Sequence, residues 1–192
     1  MLFIFLRIYI EIEEAIRGKP VDSAPKLYKQ NSNSVPHLFI DQPERLSTKK
    51  WASLLVASPE TYAGCELVSL TWAKALESNL SHEFVQFIVE DKRHGVRTRV
   101  LSDRQKKGET DNVIVGWDWS GENNPSEQND MPLPLKSLVF NNNNRPSVVA
   151  LAQVLATVTA RASDYSFSRI CFWYARSVFE TAKAVWGGEV KE

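Results

Sequence analysis

Cysteine is scarce. The chain of 192 residues has two, Cys65 and Cys171. Two thiols can make one bridge but no disulfide framework, and nothing else in the sequence points to secretion. A reducing, cytoplasmic setting is therefore expected. Net charge is also missing, because 23 Lys and Arg balance 23 Asp and Glu. That balance gives no support to a general nucleic-acid or membrane-surface role. No apolar run is long enough to span a bilayer. Met1 to Ile12 is very apolar, but it is too short and carries Arg7 and Glu11. It lacks the basic leader and the small-residue cleavage site of a signal peptide. There is no glycine-rich phosphate loop and no cluster with metal-ligand spacing, so no metal and no cofactor are expected. No internal repeat is present. Histidine is limited to His37, His82 and His94. Any acid–base chemistry that needs an imidazole must use one of these three.

What remains is ordinary material for a folded domain. Hydrophobic residues make up 43% and charged residues 24%, which suits one globular core. A single domain over residues 1–192 is expected. Its irregular parts are a loop-rich stretch at 18–50, punctuated by Pro20, Pro25, Pro36 and Pro43, and a surface excursion at 120–147.

The alternation of residues 2–12 predicts a strand, in competition with a helix running on to Gly18. His37 to Ile40 predicts a short strand. Trp51 to Ala57 is apolar and fits helix or strand. Ser58-Pro59-Glu60 has the form of a helix start. A helix is expected from about 66 to 79, with Val68, Trp72, Ala75 and Leu76 as its buried stripe. The clearest β signal follows. His82 to Glu90 and Val96 to Asp103 form a hairpin around Asp91 to Gly95. A further strand is expected over Asn112 to Trp119.

Ser147 is placed to cap a helix over 148–162, with Val148, Leu151, Leu155, Val158 and Ala162 repeating at three and four. The last helix, 168–186, carries Cys171, Ala175, Val178, Ala182 and Val185 on one face and stops at Gly187-Gly188. The expected fold class is α+β: an antiparallel sheet centred on the 82–103 hairpin and packed by three or four helices.

The last helix also carries the chemistry. With Ser168 as N-cap, Cys171 is the third helical residue, where free N–H groups and the helix dipole favour a thiolate. A thiolate nucleophile needs a base within hydrogen-bond reach and a group that orients the base. With the hairpin turn centred between Lys92 and Arg93, His82 stands opposite Asp103, close enough for the carboxylate to hold one ring nitrogen. Cys65 falls at the far end of the 66–79 element, away from His82. The candidate catalytic residues are therefore Cys171, His82 and Asp103. Arg97, Arg99 and Trp173 are candidate substrate contacts, and Lys92 to Lys107 is locally basic. The same register puts Arg97 and Arg99 on the sheet face of His82, while Val85, Phe87, Val89 and Val100 look like core.

The order of histidine at a strand start, polar residue on the next strand and late cysteine at a helix start resembles the circularly permuted papain-like fold. Lecithin retinol acyltransferase-like proteins and related thiol hydrolases are similar in this respect. Ser81-His82-Glu83-Phe84, Ser102-Asp103-Arg104 and Cys171-Phe172-Trp173-Tyr174-Ala175 also resemble a set of fungal proteins with His-Glu-Phe, Asp-Arg and Asn-Cys-x-Trp segments. The resemblance covers roughly residues 66 to 186, without the asparagine-rich excursion. It implies cysteine-dependent hydrolysis or acyl transfer on a carbonyl, amide or thioester substrate. One position departs: Ile170 stands where both groups usually carry asparagine. Three other readings remain open. The fold can serve as an inactive interaction module. Cys171 can be a buried structural residue. The first twelve residues can associate with a membrane.

Overall fold

A computed structural model describes residues 35–40, 43–75, 82–104, 111–116, 132–161 and 171–192. The readings made for residues 1–34, 76–79, 117–131, Ala162, Ser168 and Ile170 lie outside them. The fold class is α+β. Seven antiparallel strands form one sheet in the order β1-β5-β4-β3-β2-β6-β7. They are β1 (Glu44–Ser47), β2 (Cys65–Ala75), β3 (Glu83–Asp91), β4 (Val96–Arg104), β5 (Asp111–Val115), β6 (Pro132–Val139) and β7 (Glu189–Lys191). Among the described residues three helices accompany them: α1 (Thr48–Ala57), α2 (Val148–Arg161) and α3 (Cys171–Trp186). The described residues contain no helix long and apolar enough to cross a membrane.

All three helices share one core with one sheet face. From the sheet come Leu46, Leu67, Leu70, Val85, Phe87, Val89, Val100, Val113, Val115 and Leu138. Helix α1 buries Thr48, Trp51, Ala52 and Leu55, the i, i+3, i+4, i+7 positions of a single stripe. Its first turn is capped by Ser47, whose hydroxyl accepts from the Lys50 N–H at 3.2 Å. Ser147 caps α2 in the same way, accepting from the Ala150 N–H at 3.1 Å. Helix α3 buries Tyr174, Ala175, Val178, Phe179 and Ala182. Val185, expected on that face, is exposed. The helix ends where expected, with Gly187 and Gly188 at positive φ of 69° and 110°.

The hairpin exists, but its register is slipped. Phe84 pairs with Asp103 and Asp91 with Val96. The turn is thus centred between Arg93 and His94, and His82 lies two residues beyond the position opposite Asp103. The four-residue tip is held by the Asp91 carboxylate, which is buried and accepts from the Arg93 N–H and Nε at 3.0 Å and pairs with His94 Nδ1 at 2.7 Å. A slip of two keeps every side chain on its expected face, whereas a slip of one would have exchanged the faces.

Four further expectations are corrected. Of the segment read as a helix over 66–79, the described part, 66–75, lies in strand β2. A bulge leaves Val68 unpaired, since Leu67 pairs with Val89 and Ser69 with Ile88. The inward set therefore switches from Cys65 and Leu67 to Leu70 and Trp72, and the step of three breaks the period-two pattern that would have marked a strand. Ser58-Pro59-Glu60 starts a run of i to i+3 turns, not a helix, ending at Gly64 with φ 88°. His37 to Ile40 forms turns instead of a strand. The excursion contains strand β6, which pairs with β2. Its prolines obscured it. Pro132 and Pro134 are tolerated because β7 covers only Ser137 to Val139, leaving the proline half of β6 without a strand on that side among the described residues.

Candidate active site

The end of the sheet where β3 begins and β4 finishes brings three side chains together. His82 immediately precedes β3, and its carbonyl accepts from the Ala75 N–H at 2.8 Å, so the β2 end fixes its backbone. Asp103 is the penultimate residue of β4 and is largely buried. Its Oδ2 lies 3.5 Å from His82 Nε2. That separation is loose for a hydrogen bond, as catalytic contacts often are before substrate is bound. The His82 ring also hydrogen-bonds the thiol of Cys171, the first residue of α3. Cys171 is partly exposed and is a free thiol.

The electrostatics of the three groups are mutually consistent. Hydrogen bonds to Asp103 and then to Cys171 raise His82 to about 9, although burial opposes them. Burial pushes the Cys171 thiol up. The His82 hydrogen bond, the Glu83 N–H, the His82 charge and the Phe172 N–H together outweigh it, and the thiol titrates below its ordinary value. The arrangement therefore favours a thiolate beside an imidazolium, held by a carboxylate. Cys65 is the contrasting case. Burial first, and the Asp91 charge second, push it up to about 11 despite Arg93 nearby. It pairs with Asp91 at the opposite end of β3. The sequence reading separated Cys65 from His82 by a helix. A strand separates them in fact.

Three expected substrate contacts lie elsewhere or are engaged. Arg99 and Arg97 share the sheet face of Asp103, but four and six residues along a strand are ~13 and ~20 Å away. Arg99 reaches across to Gln86 and Arg97 to Glu90, each at 3.5 Å. Trp173 is near Cys171 in the chain, and its ring is covered by the Arg104 guanidinium at 5.5 Å from the centroid. His37 and His94 are likewise committed, to Glu44 and Asp91 at 2.8 and 2.7 Å.

Several contributors carried no sequence signal. The Glu83 N–H acts through the backbone, so its residue type says nothing. The Phe84 ring stacks on His82 with centroids 6.4 Å apart. Arg45 approaches Asp103 Oδ1 at 3.7 Å from β1, a strand the sequence did not disclose. The Asp103-Arg104 pair reads in sequence as a strand end on the surface, yet Arg104 is buried and bidentate to Asp111 at 2.5 and 2.8 Å. No group of three or more potential metal ligands exists among the described residues.

Comparison with protein-family models, with curated proteins and with solved structures finds no match.

Proposed function

We propose that the protein is a cysteine-dependent hydrolase or acyltransferase. The supporting observation is the grouping of Cys171, His82 and Asp103, with the thiol held below its ordinary titration range. The Cys171 thiolate adds to the substrate carbonyl and forms a carbon–sulfur bond. The carbonyl π electrons move to oxygen. Collapse of this tetrahedral species expels the amine, alcohol or thiol, which takes the proton from the His82 imidazolium. The acyl group is left on sulfur as a thioester. Water, or an acceptor nucleophile, then gives a proton to neutral His82 and attacks the thioester, and the thiolate returns. Asp103 orients His82 and stabilises its charge throughout. The N–H groups of Glu83 and Phe172, which support the thiolate, are assigned here to hold the developing oxyanion. Two free thiols agree with a reducing, cytoplasmic setting.

A second reading has one observation behind it. Ile170 replaces the asparagine usual in the proteins this sequence resembles, which favours a non-catalytic binding module on the same fold.

The test is the pH dependence of alkylation at Cys171, read by mass spectrometry with Cys65 as internal control. Because thiolate is the reactive form, a lowered thiol labels at lower pH. Cys171 is expected to label readily at pH 6, and Cys65, at about 11, hardly at all until the chain unfolds. His82→Ala should abolish the pH 6 labelling and lower turnover of an acyl or thioester substrate by about 10²–10⁴-fold. Labelling of Cys171 that follows an ordinary free thiol would refute the enzyme reading.

A further inference from the structure

We propose that Arg104 is a positioning residue for Cys171, acting through Trp173 and Tyr174 at the start of α3. This rests on the reading of Cys171 as a nucleophile. Successive residues of a strand face opposite sides. Asp103 points toward His82 on one side of β4, and Arg104 points into the helix layer on the other. Arg104 is 5% exposed and Asp111 of β5 is 1% exposed. Their bidentate pair fixes the plane of the guanidinium. That plane sits 5.5 Å from the Trp173 centroid and 5.6 Å from the Tyr174 centroid. These are the second and third residues after Cys171.

Tyr174 has a second anchor on the same strand. Ser102 Oγ donates to the Asn112 carbonyl at 2.8 Å, which leaves its lone pairs for the Tyr174 hydroxyl at 2.7 Å. The first turn of α3 is thus tied to the residues on either side of Asp103. The last residues of β4 hold both members of the thiolate–imidazolium pair: Asp103 holds His82, and Arg104 with Ser102 holds the helix that carries Cys171. An error of 1 Å in such a pair is enough to weaken it severely. Lysine keeps the charge of Arg104 but loses both the fork that matches Asp111 and the flat face that covers Trp173.

The experiment compares wild type with Arg104→Lys, Trp173→Leu and Trp173→Phe, by amide hydrogen exchange along α3 and by Cys171 alkylation at pH 6. Arg104→Lys and Trp173→Leu are expected to speed exchange in residues 172–176 while leaving 180–184 unchanged. Both should slow alkylation at pH 6 by about tenfold, the effect of one unit in the thiol, with recovery in alkaline solution. Trp173→Phe, which keeps an aromatic face, should retain wild-type behaviour in both. Trp173 is only partly buried, so Trp173→Leu decides the matter if Arg104→Lys does not fold. Wild-type exchange and alkylation in Trp173→Leu would overturn the proposal, as would uniformly faster exchange along the whole helix. If wild-type Cys171 fails to label at pH 6, the nucleophile reading falls. The exchange pattern still shows whether Arg104 holds the helix start.

Discussion

Asp103 governs the site through one neighbour. Its carboxylate is the first cause of the high His82 value, and the His82 contact is the leading favourable influence on Cys171. Replacing the carboxylate with an amide removes the charge that holds the imidazolium. In Asp103→Asn, His82 is expected to titrate well below about 9, and Cys171 to titrate higher than in wild type. An NMR titration of His82, followed beside Cys171 alkylation, checks both signs. Unchanged His82 titration would show that Asp103 does not act on the ring. The grouping of these three candidate residues was readable in the sequence for a simple reason. Each stands at the end of an element, and the two-residue slip left all side chains on their expected faces. The Glu83 N–H was not readable because a backbone donor leaves no trace in residue type. Arg104 was not, because its partner Asp111 sits on the next strand and only the paired sheet shows the contact.

At the scale of elements, local chemistry located the last helix stop and the Ser147 cap, and failed at the 58–64 turns and where strands are irregular. The Ser147 cap and the Gly187-Gly188 stop depend on one or two residues each. Strand β2 depends on the bulge at Val68, which no period-two search would find. Strand β6 carries two prolines, tolerated only because of where β7 stops. The hairpin tip offers a test of its own. Burial would raise Asp91, but the hydrogen bonds from Arg93 and His94 more than offset it, and its carboxyl is held below 3.8. A depressed carboxyl stabilises the fold fully above its unfolded value and loses that contribution as pH falls through the folded value. Asp91→Asn should therefore lower stability by about 1–3 kcal/mol near neutrality. The lower end is expected because Arg93 and His94 are each more than a third exposed. The difference from wild type should shrink below pH 3.8. Urea unfolding at several pH values measures it, and Cys171 alkylation should stay unchanged because the tip is at the other end of β3.

Across the whole molecule, the order of the sheet separates the site from its margin. Strands β3 and β4 are central, flanked by β2 on one side and by β5 and β1 on the other. Strand β7 is three exposed residues at the far edge. Ending the chain after Gly188 is expected to leave the pH profile of Cys171 alkylation unchanged, while Leu138 and its neighbours on β6 exchange amide hydrogens faster. A changed profile would show that the β7 edge reaches the site after all. The α+β class was legible because it follows from the hairpin and the two C-terminal helices. The position of β1 and β7 was not, since strands of four and three residues are too short to show a pattern.

The opposed directions of Asp103 and Arg104 also restrict how the gene can change length. An insertion in the four-residue tip from Lys92 to Gly95 can be absorbed as a longer loop, with the strand pairing intact. A single codon gained or lost between Val96 and Asp103 turns the acid toward the helices and the arginine toward His82 unless a bulge of the kind at Val68 absorbs it. Natural variation in this hairpin should therefore gather at the tip, and within the paired strand it should come in steps of two or with a compensating bulge.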